Sequence, residues 1–155
     1  MRCAACKQAV TRLPQPRLVF DPGGTMAILS EDYAVSAPGV RVRVRAGFRF
    51  DGASIPASLQ PVLGGPWDPR RLPAATAHDW LYASHAAAKW VADLVFLWLL
   101  LRNGFPPVAA IADWWAVARF GGGAWRSHGP DENRRTRPLG GLSLFGLPIC
   151  QPDKE

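Results

Sequence analysis

Apolar and charged residues alternate strictly over Val40-Arg41-Val42-Arg43-Val44-Arg45. That period of two sets valines on one face and arginines on the other, the pattern of a half-buried strand. Arg17 to Asp21, closed by Pro22-Gly23-Gly24, predicts a shorter strand and a turn, and Met26 to Leu29 a second short strand. From Asp68 the pattern changes. Asp68 followed by Pro69 marks a helix start, and this helix is expected to run from about Arg71 to Ser84. Ala86 to Asn103 reads as the next helix, ended by Gly104. Pro106-Pro107 opens a third that reaches Phe120, where Gly121-Gly122-Gly123 is expected to stop it.

The order of these elements predicts an α+β fold. Short antiparallel strands come first, then three helices, and the short breaks make the first two an antiparallel pair. An extended tail rich in Pro, Gly and Arg follows, with an apolar stretch from Leu142 to Ile149 that should dock on this domain or on a partner. The expected limits are an N-terminal tail over 1–16, a single α+β domain over 17–125 and the C-terminal tail over 126–155.

Composition narrows the class. The 155 residues are 48% apolar and 19% charged, which argues against disorder along the whole chain. Trp90 to Leu101 is apolar except at Asp93. As a helix it spans about 18 Å, short of the ~30 Å hydrocarbon core of a bilayer, so it reads as a buried helix and not a membrane span. No secretory leader is expected, because no apolar stretch follows Arg2. The net charge of +6 and the stripe Arg41, Arg43, Arg45, extended by Arg49, give a local positive field. Apart from Phe48 and Phe50, aromatic residues are missing among the arginines, so nucleic-acid binding is not expected. A solvated face or an acidic protein surface suits the stripe better than nucleic acid or lipid headgroups do.

Candidate chemistry concentrates on His78, Asp79, Tyr82 and Asp93. Positions 78 and 82 share one helix face. A carboxylate in the middle of the most apolar helix needs a partner, and His78 or Tyr82 on the preceding helix can supply one. A carboxylate that fixes one imidazole nitrogen leaves the other to activate water or hold a metal. Asp79 offers oxygen to a hard cation such as calcium. The same residues could instead form a buried network that only sets helix register. Asp113 poses the same problem, with Arg119, Arg102 or a strand arginine as expected partners. Asp51 and Ser54, framed by Phe48, Phe50 and Ile55, are either turn-builders or the rim of a pocket.

Cys3 and Cys6 form a C-x-x-C pair, and Cys150 lies near the other end. Reduced thiols, a disulfide, or a zinc or iron–sulfur site joining the termini all suit this set. A metal site would need a fourth ligand from elsewhere. There are seven tryptophans, five of them between Trp80 and Trp115. They point either to a Trp-rich core or to aromatic anchors for a partner.

The strings Phe50-Asp51-Gly52-Ala53-Ser54-Ile55-Pro56 and Ala77-His78-Asp79-Trp80-Leu81-Tyr82 are followed by Ala92-Asp93, Asn103-Gly104 and Ala116-Val117-Ala118-Arg119-Phe120-Gly121. In this order, over roughly Tyr33 to Trp125, the chain resembles a family of phage and prophage proteins catalogued as domain of unknown function 1353. The resemblance implies a structural subunit of a phage tail tip or baseplate, made in the host cytoplasm and carried in the virion. Its contacts would be with other virion proteins, and with the host envelope. More distantly, His78-Asp79-x-x-Tyr82 with Asp93 is similar to the active site of secreted phospholipase A2. That likeness implies His78 as general base, Asp93 as its orienting carboxylate, Tyr82 as support and Asp79, with Asp51 nearby, as a calcium site. Gly52 and Ala53 stand in for part of a calcium loop by analogy. The alternative function is therefore a calcium-dependent phospholipase-like or cell-wall hydrolase acting at the envelope.

Overall fold

The computed structural model describes residues 12–24, 26–51, 65 and 67–127, and the backbone of the strands Gly140–Leu144 and Leu147–Cys150. Its described strands are β1 (Leu18–Phe20), β2 (Ala27–Leu29), β3 (Tyr33–Ala37), β4 (Val40–Val44), β5 (Arg49–Phe50), β6 (Gly140–Leu144) and β7 (Leu147–Cys150). The helices are α1 (Leu72–Ser84), α2 (Lys89–Arg102), α3 (Pro107–Phe120) and α4 (Gly122–Ser127). The α+β arrangement of short antiparallel strands before three main helices is the one the sequence pattern predicts.

Two antiparallel sheets form, ordered β1-β2-β5 and β3-β4-β6-β7. In β4, Val42 and Val44 are buried while Arg41 and Arg43 face solvent, as the alternation requires. Tyr33 and Val35 of β3 turn inward beside them. Arg49 does not extend the stripe. It lies on β5 of the other sheet, opposite Ile28. The apolar stretch near the C-terminus docks on this chain, because β6 runs antiparallel along β4 with Val42 opposite Leu142.

The helices cover the inner face of the larger sheet. Helix α1 touches β4, α2 touches β3, and α3 packs on α2. Ala74, Ala75 and Ala77 are buried in α1, and their small side chains allow close packing on both sides. The core joins Val42, Val44, Tyr33 and Val35 to Trp80, Leu81, Phe96, Leu99 and Leu100.

Helix ends depart from expectation in instructive ways. Asp68 does not cap α1 through its side chain. Its carboxylate bends back onto the Arg70 N–H at 2.8 Å, and its backbone carbonyl receives the Arg71 and Leu72 N–H groups. Helix α1 therefore starts at Leu72, with Pro73 in its first turn where no N–H is needed. Gly121-Gly122-Gly123 ends α3 but does not end helical structure, since α4 begins at Gly122. Gly121 itself is αR, so the chain turns into a new helix.

Candidate functional site

Asp93 holds the site together. It faces inward from α2 and is buried, while His78 and Tyr82 face it from α1 one turn apart. His78 Nε2 lies 3.0 Å from Asp93 Oδ1, and the Tyr82 hydroxyl donates to the same oxygen at 2.7 Å. Lys89 Nζ donates to Oδ2 at 2.7 Å. The same ammonium donates to the Val117 carbonyl at 3.0 Å and the Ala118 carbonyl at 3.2 Å, near the C-terminal end of α3. A cation there meets the negative end of the helix dipole. The network thus ties α1, α2 and α3 through one carboxylate.

This hydrogen bonding fixes a tautomer. An ionised carboxylate only accepts, so Nε2 of His78 carries the proton that faces Asp93. In the neutral ring Nδ1 then keeps the free electron pair. It lies 3.7 Å from Asp79 Oδ1, too far for a direct hydrogen bond but close enough for strong electrostatic coupling. The Asp79 side chain is 27% exposed, while the His78 side chain is buried. The other faces of His78 are closed by the Tyr82 ring at 4.1 Å and the Phe96 ring at 4.9 Å.

Electrostatics follow from these contacts. Burial works against a charged imidazole, but the Asp79 and Asp93 carboxylates outweigh it and hold the His78 pKa above its ordinary value. Burial also works against the Asp93 carboxylate, yet bonds from His78, Lys89 and Tyr82 hold its pKa below the usual range. Burial and the Asp93 charge push the Tyr82 phenol well above its ordinary value, so it stays a donor.

Two contributors escape a sequence reading. Lys89 is one, although its i,i+4 spacing to Asp93 is a usable signal. Gly121 is the other. A Cβ there would run into the Val117 carbonyl oxygen and sit 2.7 Å from the Tyr82 hydroxyl. Gly121 therefore leaves the Tyr82 hydroxyl the space it needs to reach Asp93.

The partner expected for Asp113 is corrected. Arg119 and Arg102 are exposed, and so are the strand arginines. Asp113 is instead paired with Arg71, at 2.8 Å between Nε and Oδ2, and both side chains are buried. Arg71 also donates to the Gly65 carbonyl at 3.0 Å and lies over the Phe105 ring.

The metal candidates fare differently. Asp51 is exposed just after β5. Among the described residues, no group of three or more His, Cys, Asp or Glu side chains is arranged to hold a metal ion. The donor set around Asp79 therefore does not fit a resident calcium within those residues. Cys3, Cys6, Gly52, Ala53, Ser54 and Ile55 lie outside the described residues, and of Cys150 only the backbone in β7 is described.

The tryptophans divide. Trp80 is wholly buried and Trp67 packs on Phe20 and Phe50, whereas Trp90 and Trp115 are exposed. Trp125 stacks on His85 at 3.9 Å and meets the Tyr82 ring edge-on.

Comparison with known proteins places this arrangement. The chain belongs to the family described as "Protein of unknown function (DUF1353)", matched over residues 27–117. That span holds the whole of the His78, Tyr82, Lys89 and Asp93 cluster. Two curated proteins of Sinorhizobium fredii (strain NBRC 101917 / NGR234) are similar. Uncharacterized protein y4jT is 32% identical over 144 residues, 86% of this chain and 38% of its own length. Uncharacterized protein y4iH is 34% identical over 106 residues, 67% of this chain and 44% of its own length. The chain thus spans less than half the length of these curated relatives. No solved structure matches.

Proposed function

We propose that this member of the family is a hydrolase in which His78 is the general base and Asp93 orients it. One observation carries the reading. His78 is anchored through Nε2 to a buried carboxylate, while Nδ1 is directed to a second carboxylate whose side chain is partly exposed.

The chemistry follows from the donors and acceptors present. Nδ1 and Asp79 Oδ1 are two acceptors 3.7 Å apart, a spacing that one water can bridge by donating to both. That spacing is the reason for taking water as the nucleophile in this reading. As water attacks the acyl carbon, its proton passes to Nδ1, and Asp93 stabilises the resulting imidazolium. The tetrahedral intermediate then expels the leaving alkoxide, which takes that proton back from His78. Lipid esters of the cell envelope are the substrate class this reading favours, with cell-wall polymers next. Asp79 would be the oxygen donor for calcium if residues outside the described set complete a site, and no step above depends on it.

The test is direct. Purified full-length chain is incubated with phospholipid vesicles or peptidoglycan, with and without millimolar calcium, and released fatty acid or wall fragments are measured. Release from one substrate that His78→Gln abolishes supports the reading. No release from either substrate in any condition sinks it.

A second reading is a non-catalytic subunit of a phage tail tip or baseplate. The outward apolar side chains of α2 and α3 favour it, because such surfaces mark contact sites. On that reading His78→Gln changes assembly or stability and nothing else.

A further inference from the structure

A helix on a protein surface normally turns its polar residues to water. Helices α2 and α3 do the reverse. Their two acids, Asp93 and Asp113, are buried. The outward positions of α2 are Trp90, Leu94 and Leu101, with Leu97 and Trp98 half-buried between them. Those of α3 include Val108 at 83% exposure, Ile111, Trp115 at 56% and Phe120 at 68%. The helices pack on each other, so two apolar stripes lie on neighbouring elements. Beside Trp90, Leu94 and Trp98, an open apolar groove of about 550 Å³ continues to Ala37, Pro38 and Val40 at the β3–β4 turn.

Among the described residues, the charges that remain on this flank are of one sign. Arg102 and Arg119 are exposed at the ends of the two helices, and Arg126 on α4 follows them. Lys89 is engaged with Asp93, and Asp68 near the α2–α3 turn is held by Arg70. A second copy of the chain laid face to face would bring a second set of these positive charges to the interface and, among the described residues of this flank, no free acid to meet them. An anionic bilayer suits both features. Tryptophans favour the headgroup level, apolar side chains enter the acyl boundary, and arginines meet lipid phosphates. Each helix has 14 residues and spans about 21 Å, less than the ~30 Å needed to cross. Among the described residues no helix is long and apolar enough to do so. The helices would lie in the plane of the surface.

The geometry points to the α2–α3 flank as a docking surface for an anionic phospholipid bilayer. This inference rests on the outer faces of the helices and does not depend on the His78–Asp93 reading.

The experiment uses the full chain and two kinds of vesicle, phosphatidylglycerol mixed with phosphatidylcholine and phosphatidylcholine alone. Binding is followed by co-sedimentation and by quenching of tryptophan fluorescence with brominated lipid. The wild type binds the anionic vesicles with its tryptophans quenched. Ile111→Ser with Trp115→Ser, both outward-facing, weakens binding by about tenfold, because such binding scales with buried apolar area. Circular dichroism confirms that this variant keeps its helices. Arg102→Glu with Arg119→Glu weakens binding to the anionic vesicles alone. His78→Gln binds as the wild type does, so loss of hydrolysis and loss of docking are told apart. The proposal is overturned if the wild type ignores anionic vesicles. It is equally overturned if the Ile111/Trp115 variant binds undiminished, or if light scattering shows a dimer that this variant converts to monomer.

Discussion

Asp93 and Asp113 sit at inward positions of neighbouring helices, and both are met by residues from α1 or the residue just before it, yet their partners differ in kind. Asp113 faces Arg71, a planar guanidinium that is fully enclosed. Burial raises the Asp113 carboxyl above its ordinary value, against the pull of the neighbouring Arg71 charge. Asp93 faces His78, a titratable imidazole whose pKa two carboxylates hold above its ordinary value, and whose second nitrogen reaches toward a partly exposed carboxylate. The first arrangement is a lock between α3 and the start of α1. On the proposed function, the second moves a proton. Burial alone then does not mark a reactive site; the titratability of the partner, and the direction of its second nitrogen, do.

The widest gap between the two is expected in stability. Arg71→Met strands Asp113 in the core and should cost about 3–5 kcal/mol, measured by urea unfolding. Adding Asp113→Leu removes the stranded charge and should restore most of that loss. Neither variant should change the pH dependence of hydrolysis. His78→Gln should do the opposite. A glutamine can still donate to Asp93, so stability should fall by only about 1 kcal/mol. Hydrolysis should drop by about 100-fold or more, the usual contribution of a general base. Equal effects of Arg71→Met and His78→Gln on activity per folded molecule would erase the distinction.

A smaller effect probes the support of the Asp93 side. Gly121→Ala puts a methyl group against the Val117 carbonyl and the Tyr82 hydroxyl. The backbone must shift, at about 1–3 kcal/mol. If Tyr82 positions Asp93, hydrolysis falls as well, and crystallographic comparison should show the Tyr82 hydroxyl displaced from Oδ1. Unchanged stability would mean that the α3–α4 junction yields freely and that Tyr82 is not confined.

Legibility in the sequence followed the same divide. The His78, Tyr82 and Asp93 cluster was readable because i,i+4 spacing and a lone acid in an apolar helix both signal it. The alternation in β4 was readable for a similar reason, since each valine and arginine reports its own side. The Arg71–Asp113 pair was hidden, because 42 residues separate its members and no local period connects them. Strand β3 was hidden too. Its Tyr33-Ala34-Val35-Ser36-Ala37 run has small residues at its outward positions, so contrast between the faces is weak. The helical restart at Gly122 was missed because glycine ends helices by intrinsic preference, which packing can override.

The smallest effect is the most discriminating, because stability and activity should move in opposite directions with pH. The folded pKa of His78 is raised, so the folded state binds this proton more tightly than the unfolded chain. That stabilisation is complete below about pH 6.5 and fades as pH climbs through the folded value. The folded pKa of Asp93 is lowered, so its contribution is complete above about pH 3.9 and is lost as pH falls through the folded value. Together the network should contribute most between roughly pH 4 and 6.5. General-base catalysis needs Nδ1 unprotonated, so hydrolysis should rise where the stabilisation declines. Unfolding free energies and hydrolysis rates measured across the same buffers would show the two limbs crossing. In His78→Gln the alkaline decline in stability should flatten. In Arg71→Met, destabilised by a greater amount, the decline should persist, because the group that titrates there is still in place.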